Sequence, residues 1–420
     1  MPSWMNTALL LCCGVCLGLS SRSGSAGDWP QILGPNRDGR ATDEKLLTNW
    51  GSSGPATLWQ IPVGDGFAGV AVQGSRVAEF SRQGAQEVVR LLDAVTGKVF
   101  WTSASPCNYR GGVSSDKGPR CVPLIHQDRV YVFGVEGLLR CLSLSDGAEI
   151  WKVDTTAQYE PLEGYFGVGS TPVISGNRII VNVGGRDNSA IVAFDTGTGK
   201  AVWQAFDDAA SYSSPRVVVV GGVAHALVVT RLHVVSLDPA TGAVRFQLPF
   251  GMRGPTVNGA SPVLVGNQLF LSASYRIGSL LAGIGRDGAN EVWRDEELLA
   301  TQFATPIAVG NTLFAVDGRQ DEGRGAGSLK CIDTTARKVL WQKSGFDYGT
   351  LLFADNQLLF LTSGGELIQF DASTKNYVER QRAAVLEATD SGYRLPALSS
   401  GRLFVRDDST LKCLKVGDIR

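Results

Sequence analysis

Histidine is scarce in this chain. There are three, His126, His225 and His233, and no two share the spacing of metal ligands. His225 and His233 fall in a Val-rich region and read as structural. No nucleophile-elbow motif supports a Ser-His-Asp triad. An excess of one charge is also missing: 39 Lys and Arg against 40 Asp and Glu give a formal net charge of −1. That balance offers no basic surface for nucleic acid. Beyond the N-terminus no apolar run is long enough to cross a bilayer, so no membrane span is expected.

Residues 1–26 read as a secretory signal peptide, with an apolar stretch from Ala8 to Leu19 and a small-residue cleavage site at Gly24-Ser25-Ala26. The segment before the apolar stretch carries no Lys or Arg. Cys12, Cys13 and Cys16 lack the Leu-small-small pattern of a lipoprotein signal, so no lipid anchor is expected. The remaining chain keeps Cys107, Cys121, Cys141, Cys331 and Cys413, no two of them adjacent. Cys107 and Cys121 bracket a Gly- and Ser-rich loop and can pair in an oxidising compartment.

What is abundant is glycine, 51 residues spread through apolar runs, the pattern of an all-β chain with many tight turns. Its order is a repeat. Trp101, Trp151, Trp203, Trp293 and Trp341 recur at about one repeat length, and Phe246 fills the gap. Ahead of each aromatic lies a turn, such as Asp93-Ala-Val-Thr-Gly97, Asp195-Thr-Gly-Thr-Gly199 or Asp238-Pro-Ala-Thr-Gly242. Asp there accepts hydrogen bonds from the following N–H groups, and Gly takes the positive φ that ends the turn. A second marker opens each unit: Val122-Pro123, Thr171-Pro172, Ser214-Pro215, Ser261-Pro262, Thr305-Pro306 and Leu395-Pro396. Turns such as Gly176-Asn177 and Gly266-Asn267 then separate two apolar runs, which signals a hairpin.

Each unit is thus four strands, the plan of a propeller blade. The eighth unit stops after Leu411–Val416 with three strands, while Leu58-Trp59-Gln60 at the other end has the aromatic without its turn. The expectation is an eight-bladed β-propeller of four-stranded antiparallel blades over residues 57–416, closed by an N-terminal strand in which Trp59 completes blade eight. Closure hides two sheet edges. Residues 27–56 form an extension over the outer surface or one face, and 417–420 a tail. In this register Cys141, Cys331 and Cys413 sit in separate blades, as buried core residues too far apart to pair.

The unit Ser/Thr-Pro … Leu-x-x-x-Asp-x-x-Thr-Gly-x-x-x-Trp resembles the repeat of pyrroloquinoline-quinone-type (PQQ-like) propellers. That family includes quinoprotein alcohol dehydrogenases and the outer-membrane assembly lipoprotein B. The segment Asp28-Trp29-Pro30 to Gly39 is similar to the start of secreted propellers of planctomycete-like bacteria. In the dehydrogenases the resemblance implies a quinone on the axis and a Ca²⁺ held by Glu, Asn and Asp. Glu163 and Asn258 stand in loops that can face the axis, but the next such loop offers Gln302-Phe303 where a carboxylate is wanted. No cofactor is therefore expected, with PQQ and calcium as the alternative reading.

The preferred reading is a non-catalytic binding scaffold of the bacterial cell envelope. It would be secreted or periplasmic, soluble after leader cleavage and monomeric, and would recognise a protein or envelope ligand through one axial face. The candidate binding residues on the loops leading into the innermost strands are Tyr165, Phe166, Tyr212, Arg253, Asn258, Gln302, Phe303, Asp347, Tyr348, Tyr393 and Arg394. The Gly-rich stretches Asp317 to Ser328 and Gly111 to Arg120 read as surface loops.

Overall fold

A computed structural model describes residues 27–112, 117–161, 166–254, 256–388 and 394–420. The leader, Glu163, Tyr165 and Tyr393 lie outside the described residues. Eight four-stranded antiparallel sheets form the ring of a propeller. Blades one to seven span 71–106, 124–154, 173–205, 216–249, 263–295, 307–346 and 349–384. Blade eight joins strands Ala397–Ser399, Arg402–Arg406 and Thr410–Lys415 to Thr57–Pro62 from the other end of the chain. Almost no helix interrupts this pattern; Thr155–Tyr159 is one turn capped by Asp154.

The aromatic of the repeat does more than fill space between sheets. Each indole N–H donates to the corresponding turn of the following blade: Trp101 to the Leu144 carbonyl (3.0 Å), Trp151 to Thr196 (2.9 Å), Trp293 to Thr334 (3.1 Å). Where the turn ends in glycine, that residue lies under the ring, as Gly97, Gly147, Gly199 and Gly242 do. A Cβ on Gly147 would come within 2.5 Å of Trp101, and its φ of 74° belongs to the left-handed region, so both sterics and backbone demand glycine. Asp195 anchors its turn by accepting from the Gly197 and Thr198 N–H groups and from the Thr198 hydroxyl. The Thr198 hydroxyl, followed by those N–H groups, holds this carboxyl below its ordinary pKa.

The Ser/Thr-Pro marker also has a tertiary role. The Val122 N–H donates to the Thr171 hydroxyl at 3.0 Å, the Thr171 N–H to Ser214 at 2.9 Å, and the Ser261 N–H to Thr305 at 3.0 Å. These hydroxyls staple each innermost strand to its predecessor beside the axis. The following proline keeps the residue before it extended, as the geometry requires.

Blade seven, which has no Trp, is completed differently. Gln381 takes the Trp position opposite Gln369. Its amide donates to the Leu47 carbonyl and accepts from the Trp50 N–H (3.0 and 2.8 Å). Leu46 and Trp50 join the core between blades seven and eight.

The extension runs across one axial face and does not follow the outer surface. Trp29 pairs with Val72 of blade one, Pro30 accepts from Ile125 of blade two, and Gly39 and Ala41 bond Phe353 of blade seven. Arg37 turns into the ring. The residue is 3% exposed, and its guanidinium donates to the carbonyls of Thr171 (3.1 Å), Pro172 and Pro215 (2.7 Å), with Gln31 alongside. Burial lowers its pKa to about 9, so it stays charged at neutral pH and needs those carbonyls.

Cys107 and Cys121 do not pair in this structure; both are buried free thiols with separate partners. Cys107 Sγ meets the Arg82 guanidinium, whereas Cys121 accepts from the Phe133 N–H at 3.4 Å. Cys141, Cys331 and Cys413 are buried free thiols, each opposite the Trp of its blade.

Candidate functional site

The innermost strands begin at Ala71, Leu124, Val173, Arg216, Val263 and Ile307 in blades one to six. The residue four positions before each is Phe67, Arg120, Gly169, Tyr212, Gly259 and Phe303. All six line one axial cavity of about 730 Å³. Blade eight adds Arg394, Leu395 and Asp408 to its wall. Ile32 of the extension also lines it, from the face that Arg37 plugs, so the cavity is a cup and not a through-channel. This size suits a small ligand or a few side chains.

In blades three to six the repeat position alternates between glycine and an aromatic. A Cβ on Gly169 would come within 2.5 Å of the Tyr212 ring, and one on Gly259 within 2.7 Å of Phe303. Each glycine therefore makes room for the aromatic of the next blade. The Arg120 guanidinium lies 5.4 Å from the ring centres of both Phe67 and Phe166 and 6.0 Å from Tyr212. Arg394 also stacks on Phe67, 5.1 Å from its ring centre, and is held by the Gly66 carbonyl and Asp408. Such cation–π stacks fix flat guanidinium groups in a wall without a carboxylate at each.

Of the residues expected from sequence, Phe166, Tyr212, Gln302, Phe303 and Arg394 share this cup. Four others do not. Tyr348 is buried, 1% exposed, behind the wall. Its hydroxyl oxygen accepts from the N–H groups of Gln302 (2.9 Å), Phe303 and Ala304 (both 3.1 Å) and bonds Thr301 at 2.7 Å, so it holds the loop instead of meeting a ligand. Asn258 is spent in the same way: its amide donates to the carbonyls of Thr230, Arg231 and Phe250. Asp347 accepts from the Gly325 N–H, and Arg253 is exposed away from the cup.

Sequence reading missed several lining residues. Lys117 and Arg120 come from a stretch expected to be a plain surface loop, as do Gln320 and Asp321 from the Gly-rich 317–328 segment. The 3₁₀ turn Gln320–Glu322 brings the latter pair to the rim, where the Gln302 amide links Asp321 and Tyr275 (3.3 and 2.8 Å). Asp65, Phe67 and Tyr275 complete the wall. The signal that finds Phe67 and Arg120 is the repeat register itself, counted from the strand start.

Calcium needs several converging oxygens. The Asn258 amide is taken up by backbone carbonyls, Gln302 brings an amide where a carboxylate is wanted, and no cluster of three or more His, Cys, Asp or Glu exists among the described residues. The described residues do not fit a quinone–calcium site.

A family model described as outer membrane protein assembly factor BamB matches residues 84–343. BamB from Moraxella catarrhalis superposes with a TM-score of 0.60 at 16% identity, covering 86% of this chain and 97% of that one. The quinohemoprotein alcohol dehydrogenase from Comamonas testosteroni gives 0.65 at 13%, covering 95% and 82%. At these identities the likeness establishes the fold. In sequence, quinohemoprotein alcohol dehydrogenase ADH-IIG from Pseudomonas putida is 26% identical over 121 residues, which is 28% of this chain and only 16% of the dehydrogenase.

Proposed function

The chain belongs to the family described as outer membrane protein assembly factor BamB, and from that premise we propose that it is a binding scaffold of the cell envelope. It would work outside the cytoplasm and engage a protein or envelope ligand through the axial cup, without catalysis. The observation that carries this reading is the cup itself, in which six blades place the same repeat position around a single cavity. No helix among the described residues is long and apolar enough to cross a membrane. Photo-crosslinking from position 303 tests it in cells, with Ile150 on an outer strand as the control. A defined adduct from 303 that is absent from 150 is expected; adducts from 150 alone would overturn the assignment of the cup.

The partial sequence match to a quinohemoprotein dehydrogenase favours a second reading, a quinone enzyme. The fit of Asn258 and Gln302 argues against it. A melt of the purified protein with PQQ and Ca²⁺ separates the two, because a ligand that binds only the folded state raises the midpoint. No Ca²⁺-dependent rise is expected.

A further inference from the structure

The hydroxyl groups of the cup have an unusual bias. Ser214 and Thr305 accept from the N–H groups of the preceding blades, and Tyr212 accepts from the Phe166 N–H at 2.8 Å. A hydroxyl has one proton to donate. With their acceptor sides used by the backbone, these three, all lining the cavity, keep that proton to donate. Burial pushes the Tyr212 phenol up to about 12, so it keeps its proton at neutral pH. Ser261, 5% exposed and lining the same cavity, has no hydroxyl partner among the described residues.

The cup is therefore rich in donors. Its three carboxylates do not reverse this. Asp408 is bonded to Arg394, Asp321 lies 3.0 Å from Arg319, and Asp65 is exposed at the rim. Phe67, Phe166, Tyr275 and Phe303 give the wall its aromatic surface, beside the apolar Ile32, Val257 and Leu395. The far end is shut by the extension, so a continuous strand cannot pass through.

We propose that the cup takes the free C-terminal end of a partner polypeptide, with its carboxylate among the hydroxyl donors and an apolar last side chain against Phe303. This rests on reading the cup as the binding site. A blind, donor-rich, aromatic socket excludes a threaded segment, and capture of a terminal carboxylate is an established mode of peptide recognition. Ile32 sets the depth of the socket.

The test is a selection on the full mature chain from two random peptide libraries, one ending in free carboxyl groups and one tethered at both ends. Free-ended peptides with an apolar last residue are expected. Amidation of that end should weaken them tenfold or more, as should Ser261→Ala, while Ile32→Trp abolishes binding. Melts of both variants confirm folding. Peptides that bind equally well as amides, or enrichment from the tethered library alone, overturn the proposal but leave the cup as a site. Peptides unaffected by Ile32→Trp bind elsewhere and overturn both readings. N-acetylphenylalanine binding as tightly as the peptides overturns the polypeptide source, and no enrichment from either library overturns the proposal.

Discussion

The Trp59 indole N–H donates to the Ala94 carbonyl at 3.0 Å, and the Trp59 ring lies over Gly97. The first strand of the chain thereby docks the last blade onto the turn of the first, by the contact that joins other neighbouring blades. Arg406 of blade eight adds a second link, its guanidinium 3.6 Å from Glu79 of blade one with both side chains buried.

Trp59→Ala should cost about 3–5 kcal/mol, since it removes a large aromatic from the closure. Trp59→Phe keeps most of the packing and loses about 1 kcal/mol with the hydrogen bond. Urea titrations compare the two. A Trp59→Phe variant as stable as the parent would show that the N–H contact contributes nothing, and equal losses in the two variants would show that the ring packing does not.

Arg37→Met strips the donor from three carbonyls at the centre of the ring. Unsatisfied buried acceptors cost about 1–3 kcal/mol each. The loss should appear as faster proteolysis within residues 27–56, while the blades stay protected. Unchanged cleavage there would mean that the extension is held by Trp29 and the sheet bonds alone.

Glu87, on the third strand of blade one, is buried and accepts from the Val135 N–H at 2.9 Å. Burial raises its pKa from 4.5 to about 7, although that N–H and Arg82 oppose the shift. The folded state thus holds the proton more tightly than the unfolded chain. Its contribution is full below pH 4.5 and is lost as pH rises towards 7, by up to about 3 kcal/mol. Glu87→Gln should flatten the stability profile between those values. A profile that falls as steeply in the variant assigns the slope to other groups.

Tyr348→Phe removes the oxygen shared by the Gln302, Phe303 and Ala304 N–H groups. Amide exchange should rise tenfold or more at these three positions, with little change in the blade-six strands. Exchange that rises evenly across the blade would make Tyr348 an ordinary core residue.

Burial raises the Cys107 and Cys121 pKa values to about 12, and neither thiol is paired. Alkylation after unfolding without reductant should label five cysteines in residues 27–420, while the native protein resists. Labelling of three would show that Cys107 and Cys121 do pair.

By itself the sequence determined the ring. The spacing of Trp101, Trp151 and Trp203, the Asp–Gly turns and the Ser/Thr-Pro markers are local signals, because strand, turn and hairpin each depend on a few neighbouring residues. Even closure was legible, since Trp59 lacked a turn and blade eight lacked a strand. Tertiary structure alone decided which residues meet. Gly169 and Tyr212, or Asn258 and the Thr230 carbonyl, are far apart along the chain, and nothing near Asn258 tells that its amide will be taken up by carbonyls of the preceding blade. The extension's place across the ring, with Arg37 inside it, depends on carbonyls from blades three and four that exist as a cluster only once the ring has formed.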